Sequence, residues 1–301
     1  METDTSRVLT VPNWSFGRDR RLLAAVQELL GDAEVAVHFA ESDPDHNRTV
    51  TAFSGERSVV GQTLLDLAAL ILPAIDLNRH VGVHPRIGAL DVCPFVPLWS
   101  PVSPGDAADF NLWIRGFSRQ FAEQFEVPVF LYEHSETGHH AADLPSLRRL
   151  GFGGMMEQTL TPDFGPDRVH PFCGATVIGH RDFLIALNVN LQAPDPAAAQ
   201  SVSSVIRRKR RVGDPMFAGV RALGFPLAIQ GKSQVSLNIT KPDLISLDPL
   251  LEWISAECDR RGATTSDYEL IGVIREKDME HTTRLHPRPE QVVAIEVRNG
   301  V

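Results

Sequence analysis

Apolar positions along the chain follow two periods, and the switches between them mark its elements. Val8–Val11 is a short apolar run closed by Pro12-Asn13 and reads as a strand. Over Asp19–Leu30 the apolar residues Leu22, Leu23, Val26, Leu29 and Leu30 fall at helical spacing, and Gly31-Asp32 should close that helix. Val35, Val37 and Phe39 then alternate with their neighbours. This predicts a strand over Glu34–Ala40, a turn at Asp43–Asn47 and a returning strand at Thr49–Phe53. Val59–Leu77 is apolar enough for a long helix, which Pro73 should end or kink. Ala89–Phe95 is again strand-like. The order so far is strand, helix, strand, strand, helix, strand.

Pro104-Gly105-Asp106 opens a further predicted helix, Ala107–Phe125, followed by a strand at Val127–Tyr132. Glu133–His140 is a polar loop, and Leu144–Met156 reads as a short helix with a Gly-rich loop. Asp163–Gly174, DFGPDRVHPFCG, should be irregular and bridge two domains. The second half then repeats the first order. Strands are predicted at Phe183–Leu191, Val220–Ile229, Gln234–Ile239 and Tyr268–Ile274, and helices at Asp195–Lys209 and Pro249–Arg261. Val292–Val297 adds an edge strand or is loosely held. The fold class expected is therefore α+β, with two ferredoxin-like βαββαβ subdomains, residues 1–179 and 180–301, whose sheets face each other. A cleft between those sheets is the default ligand site.

Composition narrows the function classes. The chain has 301 residues, 43% hydrophobic and 22% charged, as in a soluble globular protein. A net charge of −9 argues against general nucleic-acid binding. Three cysteines make no disulfide framework, which suggests a reducing compartment. The N-terminus lacks a basic start and an apolar h-region, and Leu64–Leu77, broken by Asp66, Pro73 and Asp76, is too short for a bilayer. A cytoplasmic protein without a membrane partner is expected.

The stretch Arg79–Pro97, RHVGVHPRIGALDVCPFVP, gathers the candidate chemistry. Polar, titratable residues sit there in a Gly/Pro-punctuated turn before a buried strand. His84 reads either as a general acid/base or as a turn histidine satisfied by a backbone carbonyl. His80 and His84 have metal-pair spacing, but Gly82 and Pro85 argue against a helix there, and no metal is expected. Arg86 suits a carboxylate. His139-His140 reads as solvated loop. Arg207–Arg211 is either an anion-attracting patch or an exposed helix end, where cations suit the dipole. Cys93 should be core. Asn188, Asn190 and Asn238 are unusual in strands and suggest polar contacts in the cleft.

Together, VPNWSFGRD at Val11–Asp19, DPDHNRTV at Asp43–Val50, HPRIGALDVCPFVP at His84–Pro97 and VPVFLYE at Val127–Glu133 resemble glutamate formimidoyltransferase. PDFGP at Pro162–Pro166, GATVIGHRDFLIALNVNL at Gly174–Leu191 and QVSLNIT at Gln234–Thr240 continue the resemblance in family order. It implies two α/β subdomains with a folate tunnel between facing sheets. It also implies transfer of a formimidoyl group from N-formimidoyl-glutamate to tetrahydrofolate, in one-carbon metabolism and histidine degradation. The family's catalytic histidine maps onto His84. Its folate-contacting segment maps onto Gly165, Pro166, Asp167, Arg168, Val169, His170, Pro171, Phe172, Cys173 and Gly174. Arg48 or Arg86 would hold a carboxylate, with Asn13, Asn188 and Asn190 as further substrate contacts. The bifunctional members carry a cyclodeaminase domain, which is not expected here.

The family usually reads S-E-G at Ser15-Phe16-Gly17 and H-K-G-E-H-P-R at His80–Arg86. Phe16, Val81 and Val83 therefore replace charged residues. His84 should find another partner among Asp45, His46, Glu133 and His134. A less polar donor, another one-carbon donor, or a non-catalytic folate-binding paralogue are the alternatives these changes suggest. The apolar face of Val59–Leu77 would suit a homodimer.

Overall fold

The computed structural model describes residues 7–280 and 282–298. The chain divides into two compact units: the described residues up to Arg181 together with those from Ile295, and Asp182–Ala294.

The first unit is built on a seven-stranded sheet. Its strands are β1 (Arg7–Thr10), β2 (Asn13–Trp14), β3 (Ala36–Asp43), β4 (Arg48–Glu56), β5 (Leu90–Pro97), β6 (Val129–Leu131) and β7 (Thr176–His180). β1 and β2 both pair antiparallel with β4 and with β5, so they form one strand line interrupted around Pro12, which has no N–H to give a ladder. β3 pairs with the far side of β4. β7 lies between β5 and β6 and is parallel to both.

One face of this sheet is covered by α1 (Arg20–Asp32), α2 (Arg57–Ile71) and α3 (Pro104–Phe125). Asp19 caps α1 by accepting from the Arg21 and Leu22 N–H groups, and Leu22, Val26 and Leu30 are its buried stripe. The helix closes at Gly31-Asp32, as expected. Ser103 and Asp106 form a capping box on α3. Val26, Leu30, Leu64, Leu67, Phe53, Phe95, Phe117 and Phe121 belong to the resulting core. Arg57–Ala74, a longer span than the Leu64–Leu77 segment singled out from sequence, is long and apolar enough to cross a membrane by length and composition alone. Its apolarity is explained by packing, because Val60, Leu64, Leu67, Ala68 and Ile71 are buried in this core. As expected, the α-helix stops just before Pro73, in a single 3-10 turn, Leu72–Ala74.

A smaller cluster covers the other face, where Val92, Phe130 and Val177 meet Met155, Leu160 and Val169. Asp163–Gly174 thus packs within the first unit and does not bridge the two. Phe164 forms a β-bridge with Val129, and the strand that follows, β7, completes the first sheet.

The second unit holds β8 (Ile185–Leu191), α4 (Ala197–Arg211), β9 (Val220–Leu227), β10 (Lys232–Ile239), α5 (Leu247–Asp259) and β11 (Thr265–Ile271). Its four-stranded sheet has the order β9-β10-β8-β11, all pairs antiparallel. Ile185, Leu187, Val189 and Leu191 alternate with Ala186, Asn188 and Asn190, so the asparagines share the other face. The expected tail strand is divided. Val292–Val293 pairs with Ile274–Arg275, whereas Glu296–Val297 pairs with Trp99–Ser100 in the first unit.

Candidate active site

Three segments meet at the N-terminal end of β5: the turn Asp43–Arg48 between β3 and β4, the loop His80–Gly88, and the stretch ending at Gly174. Asn47 takes a left-handed conformation, φ 48°, which asparagine tolerates, and the His46 N–H donates to Asp43 Oδ1 at 2.7 Å. The loop is laid directly on this turn. Val83 N–H donates to the Asp45 carbonyl, and Asn47 Nδ2 donates to the Val81 carbonyl at 3.1 Å. A Cβ on Gly82 would lie 2.3 Å from the His46 carbonyl oxygen, so only glycine permits this approach.

Arg86 is the clamp between loop and turn. Nη2 donates to the carbonyls of His46 (2.7 Å) and His84 (3.0 Å), and Nε also to His84. Nη1 donates to the Asn47 carbonyl (3.1 Å) and lies 2.5 Å from His80 Nε2, which is itself 2.9 Å from that carbonyl. A guanidinium has five N–H donors, and backbone carbonyls engage four of them. As placed, Arg86 holds the loop rather than offering a fork to a substrate carboxylate.

His84 is half-buried at the surface of this assembly. Its Nδ1 is 2.8 Å from the Pro85 carbonyl oxygen. That oxygen can only accept, so Nδ1 carries the proton and Nε2 is the basic nitrogen of the neutral ring. Burial, the Arg48 and Arg148 guanidinium groups and His46 hold its proton affinity well below that of a free imidazole, opposed by the Pro85 carbonyl. His80 is lowered to about 4 by burial and by Arg86. Both rings are therefore neutral near pH 7. Burial, Arg148 and Arg86 lower Arg48 to about 10, against Asp91 and Asp43. The site is locally cationic in an acidic protein.

Two further residues anchor it. Asp91, 2% exposed, accepts the Ile87 N–H through Oδ1 (2.8 Å) and pairs through Oδ2 with Arg148 Nη2 (2.5 Å). The sequence reading missed both. An aspartate inside the otherwise apolar LDVCPFVP was the available signal, because a buried carboxylate needs a partner. Nothing in LPSLRRL identified Arg148 as that partner.

The segment mapped to folate adjoins the loop. Ala89 N–H donates to the Cys173 carbonyl, Ala175 N–H to that of Ile87, and Leu77 N–H to that of Phe172. His170 and Gly174 exchange both backbone hydrogen bonds, and His170 Nδ1 accepts from the Cys173 N–H. This tight turn leaves Pro171 and Phe172 exposed, as are Gly165, Pro166, Asp167 and Arg168. Val169, Cys173 and Gly174 are buried. Asn13 is on β2, with Nδ2 donating to the Val11 carbonyl.

Other candidates lie elsewhere. Glu133 and His134 follow β6, and the His134 ring packs 4.9 Å from His180 at the end of β7. Since β5, β6 and β7 are parallel, that is the opposite end from the His84 loop, whereas the His46 ring lies beside His84, at 5.7 Å. His140 is not a solvated loop residue: its Nε2 pairs with Asp163 at 2.8 Å, which raises its proton affinity. In the second unit Asn190 donates to Asp267 and accepts from Gln234, and Asn188 donates to Glu269. Arg207 and Arg210 donate to the carbonyls of Ala222 and Val220, which ties the end of α4 to β9. Cys93 is buried and its thiol is pushed up to about 12, as suits a core residue. Among the described residues no cluster of three or more His, Cys, Asp or Glu could hold a metal.

Comparison with known proteins matches residues 7–181 to the formiminotransferase domain, N-terminal subdomain. The chain is 31% identical over 279 residues to a glutamate formimidoyltransferase of Thermoplasma acidophilum, covering 90% of this chain and 89% of that one. It is equally identical over 271 residues, 31%, to one from Streptococcus pyogenes, covering 87% of each. The formimidoyltransferase-cyclodeaminase of Rattus norvegicus is 29% identical over 97% of this chain, which spans only 54% of that relative.

Proposed function

The chain belongs to the formiminotransferase family, and from that premise we propose that it moves a formimidoyl group from N-formimidoyl-glutamate to N5 of tetrahydrofolate, with His84 as general acid/base. The observation that carries this reading is the His84 tautomer. Nδ1–H is held by the Pro85 carbonyl, and Nε2 is the basic atom of a ring kept neutral by its cationic surroundings.

In this reaction N5 attacks the formimidoyl carbon, and the bond from that carbon to the glutamate nitrogen breaks. The N5 proton goes to His84 Nε2 and returns to the departing amine, so the ring ends neutral and no redox partner is needed. Tetrahydrofolate is a co-substrate, and the segment Gly165–Gly174 is its proposed contact. Exposed Phe172 and Val81 offer apolar surface for a pterin ring. Phe16 has joined the hydrophobic core, so it supplies no partner to His84. The surrounding arginines favour an acidic donor over a less polar one.

Two ferredoxin-like subdomains are part of this proposal. The strand order supports the subdomain type: in each unit the sheet contains a strand, helix, strand, strand, helix, strand succession with its first strand between the third and fourth.

The test is to mix protein, tetrahydrofolate and N-formimidoyl-glutamate and follow 5-formimidoyl-tetrahydrofolate and glutamate. Stoichiometric appearance of both is expected. Tight folate binding without product from this donor overturns the reading in favour of another one-carbon donor or a binding protein.

A further inference from the structure

We propose that Arg48 and Arg148 together form the seat for the donor's carboxylate, flanking the His84 imidazole. The inference rests on the reading of His84 as the site's proton-transfer group, and it assigns to Arg148 the role that sequence suggested for Arg86. Arg86 has its donors engaged by the loop and turn. Arg48 differs. It opens β4 beside the turn, it is half-buried, and no described residue accepts a hydrogen bond from its guanidinium. Arg148 uses Nη2 on Asp91, while its Nε–H is buried without an acceptor in a side chain only 13% exposed. The segment that carries it touches the loop, since a Cβ on Gly151 would lie 4.0 Å from the Arg86 carbonyl.

Two guanidinium groups with unused donors, each unfavourable to the other's charge, are relieved together by one oxyanion. Asp91 compensates only part of this charge, because its other oxygen holds the Ile87 N–H. A carboxylate matches the planar fork of arginine and accepts from both residues. The donor is the natural source, because the formimidoyl carbon must reach Nε2 of the same histidine.

Filling the seat has a consequence for catalysis. Arg48 of β4, Arg148 and His46 of the β3–β4 turn all press the His84 ring toward its neutral form, with His80 and Arg86 on its own loop and Asp45 on the turn nearby. A bound carboxylate cancels the two largest of these charges. The ring then holds the N5 proton long enough to pass it to the leaving amine, so the donor switches on the acid.

The experiment titrates His84 by NMR in imidazole-labelled protein, with and without glutarate as an unreactive dicarboxylate. The resonance is assigned by its loss in His84→Gln. In wild type, saturating glutarate should raise the His84 titration midpoint by about one pH unit or more. Arg48→Met and Arg148→Lys should each weaken glutarate about tenfold or more and abolish the shift. Arg148→Lys keeps a cation for Asp91, so folding is preserved while the fork is lost. The donor KM should rise in both variants with the tetrahydrofolate KM unchanged. Glutarate binding that ignores both substitutions, or a rise confined to the tetrahydrofolate KM, overturns the seat. An intact glutarate effect without any formimidoyl transfer overturns the transfer reading and leaves the seat standing.

Discussion

The imidazole of His46 lies 5.7 Å from that of His84, ring centre to ring centre, tilted 42°. Two histidines this close disfavour each other's protonation, and His46 is among the groups that lower His84. His46→Gln should therefore move the acidic limb of kcat/KM upward, toward the ordinary imidazole pKa of about 6.5. A pH profile from 4 to 8 checks this. An unchanged limb means that His46 exerts no field on the His84 ring.

Arg86 ties three backbone carbonyls of the turn and loop together. Arg86→Lys keeps the charge but loses the fork, and should cost about 2–4 kcal/mol from the broken charged hydrogen bonds. That corresponds to a fall in Tm of roughly 4–15 °C for a domain this size. Calorimetry on wild type and variant measures it.

Glycine positions separate close packing from mere flexibility. A Cβ on Gly88 would stand 1.9 Å from the Ala175 carbonyl oxygen, whereas one on Gly31 meets nothing within 4 Å. Gly88→Ala should destabilise by about 3 kcal/mol or more. Gly31→Ala, within helix α1, should stabilise by up to about 1 kcal/mol. Urea unfolding of the two variants should give opposite signs.

The pH dependence of stability follows from His80, lowered to about 4 in the folded protein against about 6.5 unfolded. As pH falls through 6.5 the unfolded chain takes up the proton first. Stability linked to His80 is thus full above about pH 6.5 and falls away toward pH 4. His84 acts in the same direction. His140, raised by Asp163, acts oppositely, stabilising below about 6.5 and losing that contribution as pH rises through its folded value. In His80→Gln, the urea midpoint should fall less between pH 6.5 and 4 than in wild type.

Much of the fold was legible because core positions repeat at the period of their element. The stripe Leu22–Val26–Leu30 and the alternation over Ile185–Leu191 both survive in the structure. β7 was not legible: TVIGH is short, buried at every position and inserted parallel between strands distant in sequence. That insertion is why Asp163–Gly174 looked like a bridge. At the site, His84 and Arg48 stood out as residues, but their relation did not. The Asp91–Arg148 pair joins residues 57 apart along the chain, and no local pattern encodes it. The roles of Arg86 and His140 likewise depended on which acceptors the fold brought to them.

Whether the His84 imidazole carries the proton in formimidoyl transfer is decided by the kcat of His84→Gln with saturating tetrahydrofolate and N-formimidoyl-glutamate. A loss of about 10²- to 10⁴-fold is expected, with folinic acid affinity unchanged. A kcat equal to that of wild type would contradict it.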